Sequence, residues 1–80
     1  MSSINIRWFA AYRDATGATR ETVETEAATA AELFAEMSIR HPALAQFSRA
    51  LVAINDEMSD WNAHLQAGDE VLFFPPVAGG

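Results

Sequence analysis

Ile4, Ile6, Trp8, Ala10 and Tyr12 alternate with Asn5, Arg7, Phe9 and Ala11, and this period of two predicts a first strand with one face on a core. Phe9 breaks the pattern, because it shares the side of Asn5 and Arg7, where a solvated residue is expected. Asp14 to Ala18 includes Asp, Thr and Gly17, a turn composition, and Thr19 to Thr25 then alternates around Val23; together they predict a hairpin. Thr29-Ala30-Ala31-Glu32 has the spacing of a capping box, in which hydroxyl and carboxylate serve amide donors that a helix start leaves unpaired. Ala30, Leu33, Phe34 and Met37 follow at helical spacing, and Pro42 ends the helix by disfavouring helical backbone at His41.

After a connection through Leu44 and Phe47, Leu51 to Asn55 is an apolar run of strand length, followed by the turn-prone Asn55-Asp56 and a brief segment around Met58. Ala67-Gly68-Asp69 reads as a tight turn before the β-rich Glu70-Val71-Leu72-Phe73-Phe74, which stops at Pro75-Pro76. This order predicts an α+β domain: a mixed sheet with one main helix packed on one face. A single helix cannot cover both faces, so the second is solvated or meets a partner. Phe9, and Phe74 opposite Val71 and Phe73, are the candidates for that uncovered face, with scattered exposed apolar residues as the plainer reading. Trp61 fits either the core or the patch.

Composition narrows the chemistry. Eighty residues make one domain, and a 50% hydrophobic content suffices for a core. The absence of Cys excludes disulfides, Cys-ligated zinc, a thiol nucleophile and a persulfide on this chain. All five basic residues are Arg, which excludes a Schiff-base or P-loop lysine. A net charge of -6 repels phosphate backbones and anionic bilayers, so neither nucleic acid nor membrane is an expected partner, whereas a basic protein surface would be attracted. No apolar run is long enough to span a bilayer and no basic segment leads into one, so a cytoplasmic location is expected.

His41 precedes a helix-ending Pro and His64 lies in a polar stretch; with no second ligand at metal-binding spacing, surface or capping roles are expected and no metal site is proposed. Glu21, Glu24 and Glu26, and separately Asp56, Glu57 and Asp60, read by default as solvated acidic faces, with Asp56, Glu57, Asp69 and Glu70 as candidate salt-bridge partners for another protein. The tail is the most informative segment. After Pro75-Pro76, Val77 is the last residue of any size, and Gly79-Gly80 leave a thin backbone ribbon. Residues 1–76 are therefore expected to form the domain and 77–80 a protruding tail, suited to a narrow channel in which the Gly80 carboxylate reaches a reactive phosphate. A frayed, inert terminus is the plainer alternative.

The element order, the ending Gly68-Asp69-Glu70-Val71 with Phe73-Phe74-Pro75-Pro76-Val77-Ala78-Gly79-Gly80, the opening Phe9-Ala10-Ala11-Tyr12-Arg13-Asp14 with Gly17, and Leu51-Val52-Ala53-Ile54-Asn55 together resemble the small-subunit (MoaD) family of molybdopterin synthase. The resemblance spans the chain and implies the ubiquitin-like β-grasp fold of the prokaryotic sulfur carriers. It implies a carrier in which Gly80 is adenylated with ATP by an E1-like enzyme of the MoeB type, then receives sulfur from a donor protein as a thiocarboxylate. Val77, Ala78 and Gly79 would insert with Gly80 into a large subunit of the MoaE type, where sulfur passes to cyclic pyranopterin monophosphate to build the dithiolene of the molybdenum cofactor. Catalytic Lys and Arg residues would then belong to the large subunit, this chain would bind no cofactor itself, and the assembly would be a heterotetramer. Phe9, Met58, Phe74 and Pro75 match the family's partner-binding positions, with Met58 in place of a branched aliphatic residue, and Arg13 matches a position that fastens the first turn. The competing readings are a carrier for thiamine thiazole synthesis, a ubiquitin-like modifier forming isopeptide bonds, and a plain interaction domain.

Overall fold

The computed structural model describes residues 1–46 and 51–75; Phe47 and the tail residues Val77, Ala78, Gly79 and Gly80 lie outside them. Strands β1 (Ser2–Trp8) and β2 (Arg20–Thr25) pair antiparallel, with Ile4 opposite Val23 and Arg7 opposite Arg20. Between them the chain departs from the expected hairpin. β1 ends at Trp8, and a six-residue helix, α1 (Ala11–Thr16), takes the place of the strand end and turn. Ala10 at φ 49° redirects the backbone, and the amides of Tyr12 and Arg13 close back on the carbonyls of Phe9 and Ala10, each at 3.0 Å. Trp8 and Tyr12 are four apart, a spacing that suits one face of a strand and one face of a helix equally. The helix brings Tyr12 under Trp8 with its ring edge-on at 6.2 Å, and Gly17, left-handed at φ 75°, closes α1 by donating to the Arg13 carbonyl at 2.9 Å. The fastening at Arg13 therefore runs through its backbone, with its side chain exposed.

Helix α2 (Ala30–Arg40) starts where the capping-box spacing predicts. Thr29 Oγ1 accepts from the Glu32 amide at 3.2 Å, while Glu32 Oε1 reaches back to the Ala28 amide at 2.8 Å. The amides of Ala30 and Ala31 donate to the carbonyls of Ala63 and Trp61 at 3.2 and 2.9 Å, so a distant loop completes the helix cap. A 3-10 turn (Pro42–Gln46) follows and buries Leu44. β3 (Leu51–Ile54) and β4 (Glu57–Ser59) form a hairpin whose two-residue turn has Asn55 and Asp56 both left-handed, at φ 52° and 68°, the arrangement that matches the twist of paired strands.

β5 (Glu70–Phe74) lies at the centre, parallel to β1 and antiparallel to β3, in a five-stranded sheet of order β2-β1-β5-β3-β4. One face of this sheet packs on α2. Ile4, Ile6, Trp8, Val52, Val71 and Phe73 meet Leu33, Phe34 and Met37 there, and the Phe34 ring stands edge-on to Phe73 at 5.2 Å. Trp61 belongs to this core, stacked on Phe73 at 5.7 Å and edge-on to Phe34 at 5.5 Å.

Glu21 is not a solvated acid. It lies on the core side of β2, and its Oε1 accepts from the buried Trp8 Nε1 at 3.0 Å and stands 2.8 Å from His41 Nε2. His41 follows α2 in the capping position, so it ties the helix end to β2 as well as closing the helix.

Candidate functional site

Pairing registers place the second sheet face residue by residue. Arg7 of β1 is opposite Leu72 of β5, Leu72 is opposite Ala53 of β3, and Ala53 is opposite Met58 of β4, so these four side chains form one row across the sheet. In the neighbouring row, Phe74 is opposite Leu51, and Phe9, one residue beyond β1, stacks on Phe74 at 4.7 Å with planes 14° apart. Two successive aromatic-bearing ends are thus aligned because β1 and β5 run parallel and finish together.

Phe9, Met58 and Phe74 therefore share the uncovered face, as strand parity predicts for Phe9 and Phe74. Phe9 and Phe74 are half-buried, while Met58 is 60% exposed. Leu72 is buried on this face although no helix covers it. Pro75, half-buried, is where the described chain leaves β5, at the same end of the sheet as the Phe9–Phe74 stack. Gly80 and the expected insertion residues Val77, Ala78 and Gly79 lie outside the described residues.

Leu51 joins the patch without having been singled out in the sequence. It is 54% exposed and faces Phe74 across β3 and β5. Alternation in Leu51-Val52-Ala53-Ile54 puts Leu51 and Ala53 on one face, but only the register says which face that is. Arg7 is the other unexpected member, with its guanidinium carbon 5.4 Å from the Phe9 ring centroid.

The acidic candidates separate in the structure. Asp56 and Glu57 are exposed at the β3–β4 turn. Asp69 is engaged internally: Oδ1 accepts from Asn55 Nδ2 at 2.9 Å and Oδ2 from the Gln66 amide at 2.8 Å, pinning the turn that feeds β5. Asn55 completes the join, its Oδ1 accepting from the Glu70 amide at 3.0 Å. Among the described residues no group of three His, Cys, Asp or Glu side chains could hold a metal ion, and no helix is long and apolar enough to cross a membrane.

A mixed five-stranded sheet in this order, with one long helix on one face and an apolar patch on the other, defines a ubiquitin-like β-grasp protein. Its solved likenesses include a putative molybdopterin converting factor subunit 1 from Pyrococcus furiosus, with a TM-score of 0.85, 26% identity, and coverage of 96% of this chain and 100% of that one. The ThiS family model matches residues 6–80, and the chain belongs to the ThiS family. It is 35% identical to a molybdopterin synthase sulfur carrier subunit of Mycobacterium tuberculosis over the whole of both chains. It also resembles, with a TM-score of 0.66 and 25% identity over 98% of this chain and 99% of that one, a chain in the complex of subunits 1 and 2 of the molybdopterin-converting factor from Helicobacter pylori.

Proposed function

We propose that this chain is the sulfur-carrying small subunit of a molybdopterin synthase, with Gly80 as its reacting residue. The observation that carries the reading is that the family match runs through residue 80, so the Gly79-Gly80 ending is part of the likeness. The chain leaves the central strand β5 beside an uncovered apolar face, which suits docking and tail insertion into one partner. Phe9, Met58, Phe74 and Pro75 dock, and Val77, Ala78 and Gly79 thread a channel too narrow for larger side chains.

A carboxylate is a poor acyl donor, so the Gly80 carboxylate first attacks the α-phosphate of ATP on an E1-like activating enzyme, expelling pyrophosphate and forming an acyl-adenylate. A persulfide sulfur on a donor protein then displaces AMP, and thiol cleavage of the donor's S–S bond leaves a thiocarboxylate. With no Cys in the sequence, sulfur has only the terminus to occupy. In the large subunit the thiocarboxylate supplies sulfur to the pterin precursor; the catalytic side chains belong there, and this chain binds no cofactor of its own.

The test is intact-protein mass spectrometry after incubation with ATP, an E1-like activating enzyme and a sulfur source. Exchange of one terminal oxygen for sulfur, lost on deletion of Gly80, is the expected result. No exchange with an activating enzyme that is active on its own carrier would overturn the carrier reading, and attachment of the chain to lysines of other proteins would favour a modifier.

A further inference from the structure

Arg7 and Arg20 stand directly opposite each other on the uncovered face, at the end of the sheet where Phe9 and Phe74 stack. Like charges in facing positions of an antiparallel pair destabilise it. In a protein of net charge -6, with Glu70 on the same face and Glu24 engaged by the Ser3 hydroxyl, neither guanidinium has an ion-pair or hydrogen-bond partner among the described residues. Arg7 Nε is moreover buried with no acceptor, so this guanidinium has already lost part of its hydration in the free chain. It is also held over the Phe9 ring, which limits the rotamer freedom left to lose on binding.

A cation that is partly desolvated, oriented by an aromatic ring and paired with a like charge is poorly placed for a free monomer and well placed to receive a carboxylate. We propose that Arg7 and Arg20 form a carboxylate-binding bracket at the rim of the docking face, occupied by an acidic side chain of the large subunit when Phe9 and Phe74 are covered. The inference rests on the small-subunit reading above and adds a requirement on the partner: an acidic residue beside the apolar surface that meets Phe74. That acid relieves the Arg7–Arg20 repulsion and takes the outer fork of the guanidinium, giving a directional contact beside a non-directional apolar one.

The test is titration calorimetry of the full chain with the large subunit from the same organism, at low and at physiological salt. Arg7→Gln and Arg20→Gln are each expected to weaken binding about tenfold, the double variant to lose most of the salt dependence, and Arg7→Lys with Arg20→Lys to keep it. Because both side chains are on the outer face, the Gln variants should melt no lower than wild type, which separates docking from folding. Reversal to Glu at both positions, rescued by a Lys in place of the partner's acid, would identify the contact. Unchanged affinity and salt dependence in the double Gln variant, with Phe74→Ala still weakening binding, would overturn the bracket and leave the small-subunit reading standing. Absence of any wild-type binding would overturn both, and an RNA probe bound through these arginines while large-subunit affinity stays unchanged would assign them to a polyanion instead.

Discussion

The Phe9 and Phe74 rings stack at 4.7 Å although they come from opposite ends of the chain, because β1 and β5 run parallel and in register to their last residues. Such a pair contributes about 0.5–1.5 kcal/mol beyond the area it buries. Phe9→Ala, Phe74→Ala and the double variant should therefore show a coupling energy of about 1 kcal/mol in urea unfolding. Each single variant should also weaken large-subunit binding by about tenfold or more while the fold persists, since aromatic anchors dominate small interfaces.

Phe73, one residue away, should behave in the opposite sense. It is wholly buried, in ring contact with Trp8, Phe34 and Trp61. Phe73→Ala is expected to cost about 3–5 kcal/mol, enough to unfold much of the chain near physiological temperature. Circular dichroism melts of the neighbouring variants Phe73→Ala and Phe74→Ala compare the two faces of one strand directly.

Among the described residues, Glu21 is the only acceptor for the buried Trp8 indole N–H. Glu21→Ala should cost about 1–3 kcal/mol by leaving that donor unpaired, and Glu21→Gln, which keeps an oxygen there, distinctly less. The Trp8 Nε1–H resonance should lose its protection from exchange in the first variant and retain it in the second.

Burial raises the pKa of Tyr12 above its ordinary value of 10.0. The unfolded chain ionises this phenol first, so its contribution to stability is complete below about pH 10 and is lost as pH rises through the higher folded value. Denaturation midpoints should fall as pH rises past the ordinary phenol value, and Tyr12→Phe should flatten that fall. Tyr12 is the sole tyrosine, so tyrosinate absorbance of the native protein reports its titration alone.

Ala10 carries φ 49° and ψ -125°, a backbone state that costs a residue with a Cβ about 1–3 kcal/mol. Ala10→Gly removes that strain at some loss in unfolded-state entropy, so a net gain of about 1 kcal/mol is expected. A higher urea midpoint with an unchanged slope would check it.

Much of the fold is legible in the chain because its signals are local. The Thr29–Glu32 cap, the helical spacing of Leu33, Phe34 and Met37, the Asn55-Asp56 turn and the alternation through Val71 and Phe73 each act within a few residues. The family likeness carries Phe9, Met58 and Phe74 as docking positions, and strand parity alone puts Phe9 and Phe74 on the uncovered face. Three features are decided only in three dimensions. The Trp8-to-Tyr12 spacing suits strand and helix alike, and the turn at Ala10 chooses the helix. Glu21 reads as one more surface acid until β2 and the end of α2 bring it against Trp8 and His41. Arg7 shares the uncovered face with Phe9 by alternation alone, but Leu51 and Arg20 join it through pairing register, which depends on how distant strands align and which no period along a single strand encodes.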